Sequence, residues 1–432
     1  MKTALMAGVS RRDITPPIGT ALFGYMPDLF SDSVHDPLNA TALCLAQDDT
    51  KVLILSIDNG LIANELCHRI RTELAALTAI PYDHIILSVT HTHSAPNICG
   101  MRGWGEIDIS YCETVLMPAL HQVAVEAASS LVTVRVGFSV TESKVGINRR
   151  QILENGDIAL GQNPDGQWDP RMTLAAIVTK EGKPLANIVH YGCHGTSCGC
   201  HREITRDWMG VMCDRLEKES GALTLFLNGA EGDIGPRLSN GFTTGDITHV
   251  LEIGGVAAQD AVRAWRSVKE FREELPLRVL SDEIRLPYRP LPSREAVEEK
   301  LAAVKAPETL INIERLEYQH LLDVKEVYDR NLAIPSHFTF RQTVLALGPM
   351  VLVPFPFEIF VGVTLRLRDY SPFAYTLSLS NCNGANSYFP TQDQICRGGY
   401  EVRSFVSGNA FTLTDDAEQH ILNENLRLLR RL

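Results

Sequence analysis

The sequence predicts an α/β fold with a metal site along one sheet edge, on three observations. Short apolar runs recur, each bounded by turn residues as a buried strand is. Charged stretches with helical periodicity separate them. Each run leads directly into residues of metal-binding or catalytic type. The run at 84–90 precedes His91-Thr92-His93, and the run at 185–191 precedes Cys193-His194-Gly195. The run at 223–227 precedes Glu231 and Asp233, the run at 350–353 precedes Glu358, and the run at 375–379 opens an Asn/Gly loop reaching Tyr388. In open α/β sheets ligands sit beyond the carboxyl ends of the strands. If these strands share one sheet, two or three His, a Glu, an Asp and a Tyr converge there, the composition of a metal-dependent hydrolase.

Taken in order, the strand at 52–57, a helix with Leu66, Ile70, Leu74 and Leu77 on one apolar face, and the strand at 84–90 form a βαβ pattern. Alternation of strands and helices is expected to about residue 265, with helices over 205–220 and 250–266. From Ser293, an N-cap, to about Asn331 the sequence is charged and nearly strand-free, so a helical insertion near 293–331 is expected before strands resume at 338–353. A last helix is expected to be capped at Thr414. Asp415 and Asp416 would lie in its first turn and Arg430 and Arg431 in its last, matching the helix dipole. With no repeat and no low-complexity linker, residues 1–432 read as a single domain.

Composition narrows the function. Hydrophobic content of 45% and charged content of 21% permit a large core in 432 residues. The net charge of −12, with no Lys/Arg block, argues against nucleic acid or an anionic membrane surface as the main partner. A small-molecule substrate is expected instead. No apolar run approaches the ~20 residues that span a bilayer, and the N-terminus lacks a secretory apolar region before Arg11-Arg12-Asp13. No stable membrane anchoring and a cytoplasmic location are expected, with the ten scattered Cys kept as thiols.

Zinc accepts imidazole nitrogen and carboxylate oxygen at about 2.0–2.2 Å. His91 and His93 can share such a site only if the strand ends there and the chain turns, which Ser94-Ala95-Pro96-Asn97 provides. The plain alternative is a pair of hydrogen-bonded loop histidines. Glu358 is bracketed by core-type sequence, and a buried carboxylate is costly unless paired or bound to a cation. Its alternative is a salt bridge to Arg366 or Arg368. A metallo-β-lactamase would carry Asp and His where this chain reads Ser94-Ala95-Pro96, and an amidohydrolase barrel would need more regular β/α repetition. Cys193, Cys198, Cys200 and His201 read as reduced loop residues rather than a second metal site. Asp58 and Asp207 read either as groups orienting a ligand His or as buried caps, and His190 as a core histidine with its hydrogen bonds met.

These residues resemble the N-terminal catalytic domain of neutral/alkaline, non-lysosomal ceramidases, zinc amidases that cleave an N-acyl bond. The resemblance runs from Asp13-Ile14-Thr15-Pro16-Pro17 and Gly24-Tyr25 through Thr90-His91-Thr92-His93-Ser94, Asn148-Arg149-Arg150 and His194-Gly195-Thr196-Ser197. It continues in Gly232-Asp233-Ile234-Gly235-Pro236, Pro356-Phe357-Glu358, Tyr388 and Gly399-Tyr400-Glu401. It implies a mixed sheet flanked by helices and Zn²⁺ held by His91, His194, Glu358 and Tyr388. It also implies a substrate site lined by His93, Arg149 and Tyr400, with His93 and Tyr400 bonding the scissile carbonyl or its oxyanion, and Asp233 near the metal. The family's motif carries a Ser where this chain has Gly235, and a Gly where it has Phe357, whose bulk is expected to narrow the pocket beside Glu358. The family's accessory C-terminal domain is not expected in this chain. The reading is a zinc-dependent hydrolase cleaving an amide bond by attack of metal-bound water, since Gly235 offers no nucleophile. A zinc hydrolase of a soluble carbohydrate derivative or small polar ester or amide, and a non-catalytic metal- or ligand-binding protein, are the alternatives.

Overall fold

The computed structural model describes residues 3–432. The apolar runs form an eight-stranded mixed sheet in spatial order Leu223–Asn228, Pro184–Tyr191, Arg171–Thr179, Val132–Glu142, Met6–Asp13, Asn39–Gln47, Thr50–Ile57, Ile85–Val89. The two outermost pairs are parallel. The pairs between them are antiparallel, so the α/β alternation expected to residue 265 gives way to meanders in the middle of the sheet. Short turns make two of those antiparallel connections, Gln47 to Thr50, with Asp48 at φ 52°, and Thr179 to Pro184; the others are made by longer segments.

The two edges of this sheet approach one another. Ser56 Oγ donates to Phe226 O (2.7 Å), and Asn228 Nδ2 donates to Thr90 O (3.0 Å). A second sheet, Leu277–Pro287, His337–Leu347, Met350–Pro354 and Tyr375–Leu379, ends in a parallel pair and joins at the same place. There Ser380 N donates to Asn228 O (3.1 Å) and Asn383 N to Leu87 O (2.9 Å). The carboxyl ends of strands from both sheets thus open onto one region. A short parallel pair, Glu358–Ile359 beside Tyr388–Phe389, is formed there.

Helix Asn64–Thr78 buries Cys67, Ile70, Arg71 and Leu74, whereas Leu77 is exposed. The buried stripe is therefore rotated from the expected one. Arg71 can join it because its guanidinium donates to the carbonyls of Ile85 and Tyr82 (both 3.1 Å). Helix Ile247–Arg266 starts three residues ahead of the expected position, because Asp246 and His249 form a reciprocal cap. The insertion is present as Arg294–Ala303, capped by Ser293, and Asn312–Asp329. The last helix, Ala417–Leu429, does not begin at Thr414. The chain there is still engaged in an edge contact, Thr414 N to Pro287 O (3.0 Å), and Asp415 pairs with Arg289. Arg430 and Arg431 follow the helix, and Arg431 reaches Asp282. Among the described residues no helix is long and apolar enough to cross a membrane.

Candidate metal centre and substrate cavity

The strand Ile85–Val89 ends two residues before His91, which adopts a left-handed backbone (φ 65°). That turn sends the imidazole back across the sheet edge, where Nδ1 donates to Gly60 O (2.8 Å). His194, three residues after its strand, directs Nδ1 to Glu231 O (2.7 Å), and Trp208 Nε1 donates to its carbonyl (2.9 Å). With Nδ1 bonded to a carbonyl in each ring, Nε2 of each carries the free lone pair. Both lone pairs face Glu358 Oε2, at 3.6 Å from His91 and 3.2 Å from His194. His93 Nε2 lies 3.2 Å from His91 Nε2, and ligand atoms of the three rings fall within 4.8 Å of one another.

This is a buried group of acceptors. His194 Nε2 and Glu358 Oε2 have no hydrogen-bond partner among the described residues. Such groups face one another at low cost only with a cation or proton between them. Burial lowers the pKa of His91 and holds those of His93 and His194 well below the usual value, so the rings are neutral, the form that ligates metal. The donor set fits a divalent metal.

Tyr388 stands beside Glu358 in the short parallel ladder, its ring stacked 6.4 Å from that of His194 at 10°. Its Oη accepts from Arg149 Nη2 (2.9 Å), and Arg149 Nε donates to Glu401 Oε1 (2.9 Å). Glu401 also accepts from Arg150 Nη1 (2.7 Å), so one buried carboxylate fixes both guanidinium groups. Burial pushes the Tyr388 phenol well up, partly offset by Arg149. Tyr400 sits edge-on to Tyr388 at 5.8 Å, its phenol also raised by burial. A cavity of about 590 Å³ opens over Glu358, Tyr388 and Asn381.

No family model matches the chain. A curated relative, neutral ceramidase A of Dictyostelium discoideum, is 25% identical over 260 residues, 53% of this chain and 35% of that protein. The chain thus aligns with about a third of that relative's length. The crystal structure of neutral ceramidase from Pseudomonas aeruginosa superposes with a TM-score of 0.71 at 18% identity, over 99% of this chain and 75% of that one. A solved ceramidase complexed with C2 gives 0.70 at 17% identity, over 99% and 76%. The chain has the fold of the neutral ceramidases and is similar to one of them in sequence over about half its length. The mixed sheets with flanking helices expected from the resemblance are those of the ceramidase fold.

Within this ceramidase-like fold, His91, His93, His194 and Glu358 meet at one point, with Tyr388, Arg149 and Tyr400 linked to it by the contacts above. Glu358 pairs with neither expected arginine, since Arg366 engages Glu418 and Arg368 engages Asp169. Asp233 is placed differently. Its carboxylate accepts from Val361 N (2.7 Å) and Asn148 Nδ2 (3.2 Å), and it lines a separate polar cavity with Arg150 and Thr391. Its contribution to the centre runs through its backbone, whose carbonyl accepts from Arg149 N (2.8 Å). Phe357 does not narrow the cavity beside Glu358. It is buried against Phe389 (5.0 Å), Phe338 and Phe340, because neighbouring residues of an extended segment face opposite ways. Gly235 pairs with Ile147 in a strand, and a Cβ there would stand 2.7 Å from Thr243 Cβ and Cγ2.

Among the described residues Asp58 caps no helix, and the Nδ1 atoms of His91 and His194 are held by backbone carbonyls instead. Asp58 accepts from Asn39 N (2.9 Å) at the end of its strand pair. Asp207 opens its helix at φ 56° and accepts from Cys198 N (2.9 Å), securing the loop after His194. His190 Nε2 donates to Ser378 O (2.9 Å) inside the core, as expected. Among the described residues no Cys joins a metal-capable group. The sequence reading missed a buried carboxyl–amide network. Glu231 accepts from Asn228 Nδ2 and from Asn381 Nδ2 (2.5 Å), and its pKa is driven well up by burial and then by Glu358. It also missed why Gly24 precedes Tyr25: a Cβ at Gly24 (φ 109°) would fall 2.2 Å from His93 Nδ1.

Proposed function

We propose that the chain is a zinc-dependent hydrolase of amide bonds, with the metal held by His91, His194, Glu358 and Tyr388. The observation that carries this reading is the buried meeting of two imidazole Nε2 lone pairs with the Glu358 carboxylate, where His194 Nε2 and Glu358 Oε2 have no hydrogen-bond partner among the described residues. The similarity to proteins named ceramidases supports an amide as the scissile bond. Held by these residues, a zinc ion would supply Lewis acidity toward the carbonyl oxygen and would make a water acidic enough to ionise near neutral pH.

The chain's own groups supply the remainder. Arg149, anchored by Glu401, holds a fixed positive charge against Tyr388 Oη and opposes the upward push that burial gives its phenol. Tyr400 stays a protonated donor under burial, and His93 stays a neutral ring. Both stand ready to stabilise negative charge developing on the amide oxygen, each donor being worth roughly 10²–10³ in rate. Gly235 and the packed Thr243 behind it leave no hydroxyl nucleophile at that strand position, so attack by water without an acyl-enzyme is the expected route.

Elemental analysis beside His91→Ala and Glu358→Ala tests the reading. About one zinc per chain is expected in the wild type and strong loss in both variants. Full occupancy in both variants would refute it.

A further inference from the structure

His91, His194 and Glu358 reach one centre from three separate loops, and one buried carboxyl–amide network touches all three loops. Asn228 ends its strand with a carboxamide set between the two histidine loops. Its Nδ2 donates to Thr90 O (3.0 Å) and Cys193 O (3.1 Å), and its Oδ1 accepts from Cys193 N (3.2 Å). Asn381 reaches the third loop, its backbone N donating to Phe357 O (3.0 Å), and its Nδ2 lies 3.4 Å from His91 Nδ1. Thr90, Cys193 and Phe357 are the residues immediately before His91, His194 and Glu358. Glu231 joins the two carboxamides. One of its carboxyl oxygens accepts from Asn228 Nδ2 and the other from Asn381 Nδ2 (2.5 Å), while its carbonyl accepts from His194 Nδ1 (2.7 Å).

Glu231 and Asn228 are fully buried, and of the three residues Asn381 alone lines the cavity over Glu358. Glu231 therefore acts from behind the metal-facing groups and not on a substrate. The loops need such support. His91 holds φ 65°, a conformation that residues other than glycine keep only where surrounding contacts fix it. A metal centre tolerates only about 0.5 Å of displacement in its side chains, and partners behind the ligands set how tightly metal is held.

We propose that Glu231 is the positioning residue of the metal centre, fixing His91, His194 and Glu358 through Asn228 and Asn381. The proposal rests on the zinc reading above. Its test is chelator competition for Zn²⁺ on the folded full chain, with the visible spectrum of the Co²⁺-loaded protein recorded beside it. Urea unfolding of the metal-free chain follows stability separately. Glu231→Ala is expected to weaken zinc binding by about 10–100-fold and to change the Co²⁺ spectrum. Asn381→Ala, which breaks one arm of the network, is expected to do the same in smaller measure. Glu231→Gln keeps the shape. Its oxygen can face Asn228, whose amide is committed to Thr90 and Cys193, and its Nε2 can face the Oδ1 of a turned Asn381. It is expected to restore zinc affinity and the Co²⁺ spectrum towards those of the wild type. Asn187→Ala serves as the control, because it removes a buried carboxamide of the same sheet that bonds Ser220 Oγ (2.9 Å). It is expected to lower stability and leave zinc affinity unchanged. Unchanged zinc affinity in Glu231→Ala, or in Asn381→Ala if the former does not fold, overturns the proposal while wild-type binding keeps the zinc reading. Equal losses in Glu231→Gln and Glu231→Ala overturn it too, since charge and not placement would then act on the metal. A wild type that takes up no zinc refutes the zinc reading and the proposal together.

Discussion

At the scale of single residues, His91 and His93 are adjacent yet carry different assignments, and metal content separates them. Removing His91 deletes an Nε2 that faces Glu358 directly, whereas His93 meets the group through His91. The expected result for His93→Ala is retained zinc with activity down roughly 10²–10³-fold, the cost of a lost oxyanion donor. Loss of zinc in His93→Ala would make it a ligand instead. Gly235→Ser tests the nucleophile question from the other side. Its Cβ would press on Thr243 at 2.7 Å. A destabilisation of about 1–3 kcal/mol in urea unfolding is expected from such overpacking, with no burst of product that would signal an acyl-enzyme. His91, His194 and Glu358 were legible in the sequence because each ends an apolar run at a place where a sheet edge must turn. The bond between Glu231 and Asn381 was not. Their pairing joins residues 150 apart, and its only local trace is the positive φ of Asn381 (48°), which a sequence does not announce.

At the scale of elements, the errors of sequence reading have a common cause: polar side chains found tertiary partners that local patterns do not show. Arg71 entered a buried face through two carbonyls, displacing Leu77 outward. Thr414 is still held beside Pro287, so the helix expected to be capped there is capped two residues later, at Asp416. The reciprocal cap of Asp246 and His249 extended helix Ile247–Arg266 ahead of its apolar repeat. Because this cap satisfies otherwise unpaired backbone N–H groups, Asp246→Ala is expected to lower stability by about 1 kcal/mol. Amide exchange provides the check: faster exchange should be confined to the first turn, at Thr248 and His249, whose N–H groups Asp246 accepts. The insertion was legible from its charge and lack of strands, but its function was not. Its role as a cavity wall rests on Asn312, Leu316, Glu317 and Asp323 meeting loops far away in sequence.

At the scale of the whole molecule, buried carboxyl groups set how stability responds to pH. Asp233 is buried, faces Glu401 and Arg150, and has its pKa raised to about 7 from an ordinary 3.8, chiefly by desolvation. Asp58 behaves likewise, reaching about 6, with Arg206, Arg11 and Asp36 facing it. The unfolded chain releases these protons near pH 3.8, while the folded chain retains them until pH 6–7. Between those values the folded state binds more protons, so stability falls as pH rises, the reverse of a salt-bridged carboxylate. The stabilisation is fully present below pH 3.8 and lost as pH passes through about 7 for Asp233. For Asp233 the loss is on the order of 4 kcal/mol at 1.36 kcal/mol per pH unit of separation. Asp233→Asn keeps an oxygen to accept from Val361 N and cannot ionise. Urea unfolding of both proteins at pH 4.5 and pH 8 is expected to show the wild type losing several kcal/mol more than the variant between the two conditions. Parallel pH dependence in the two proteins would mean that Asp233 titrates in the folded chain as it does in the unfolded one.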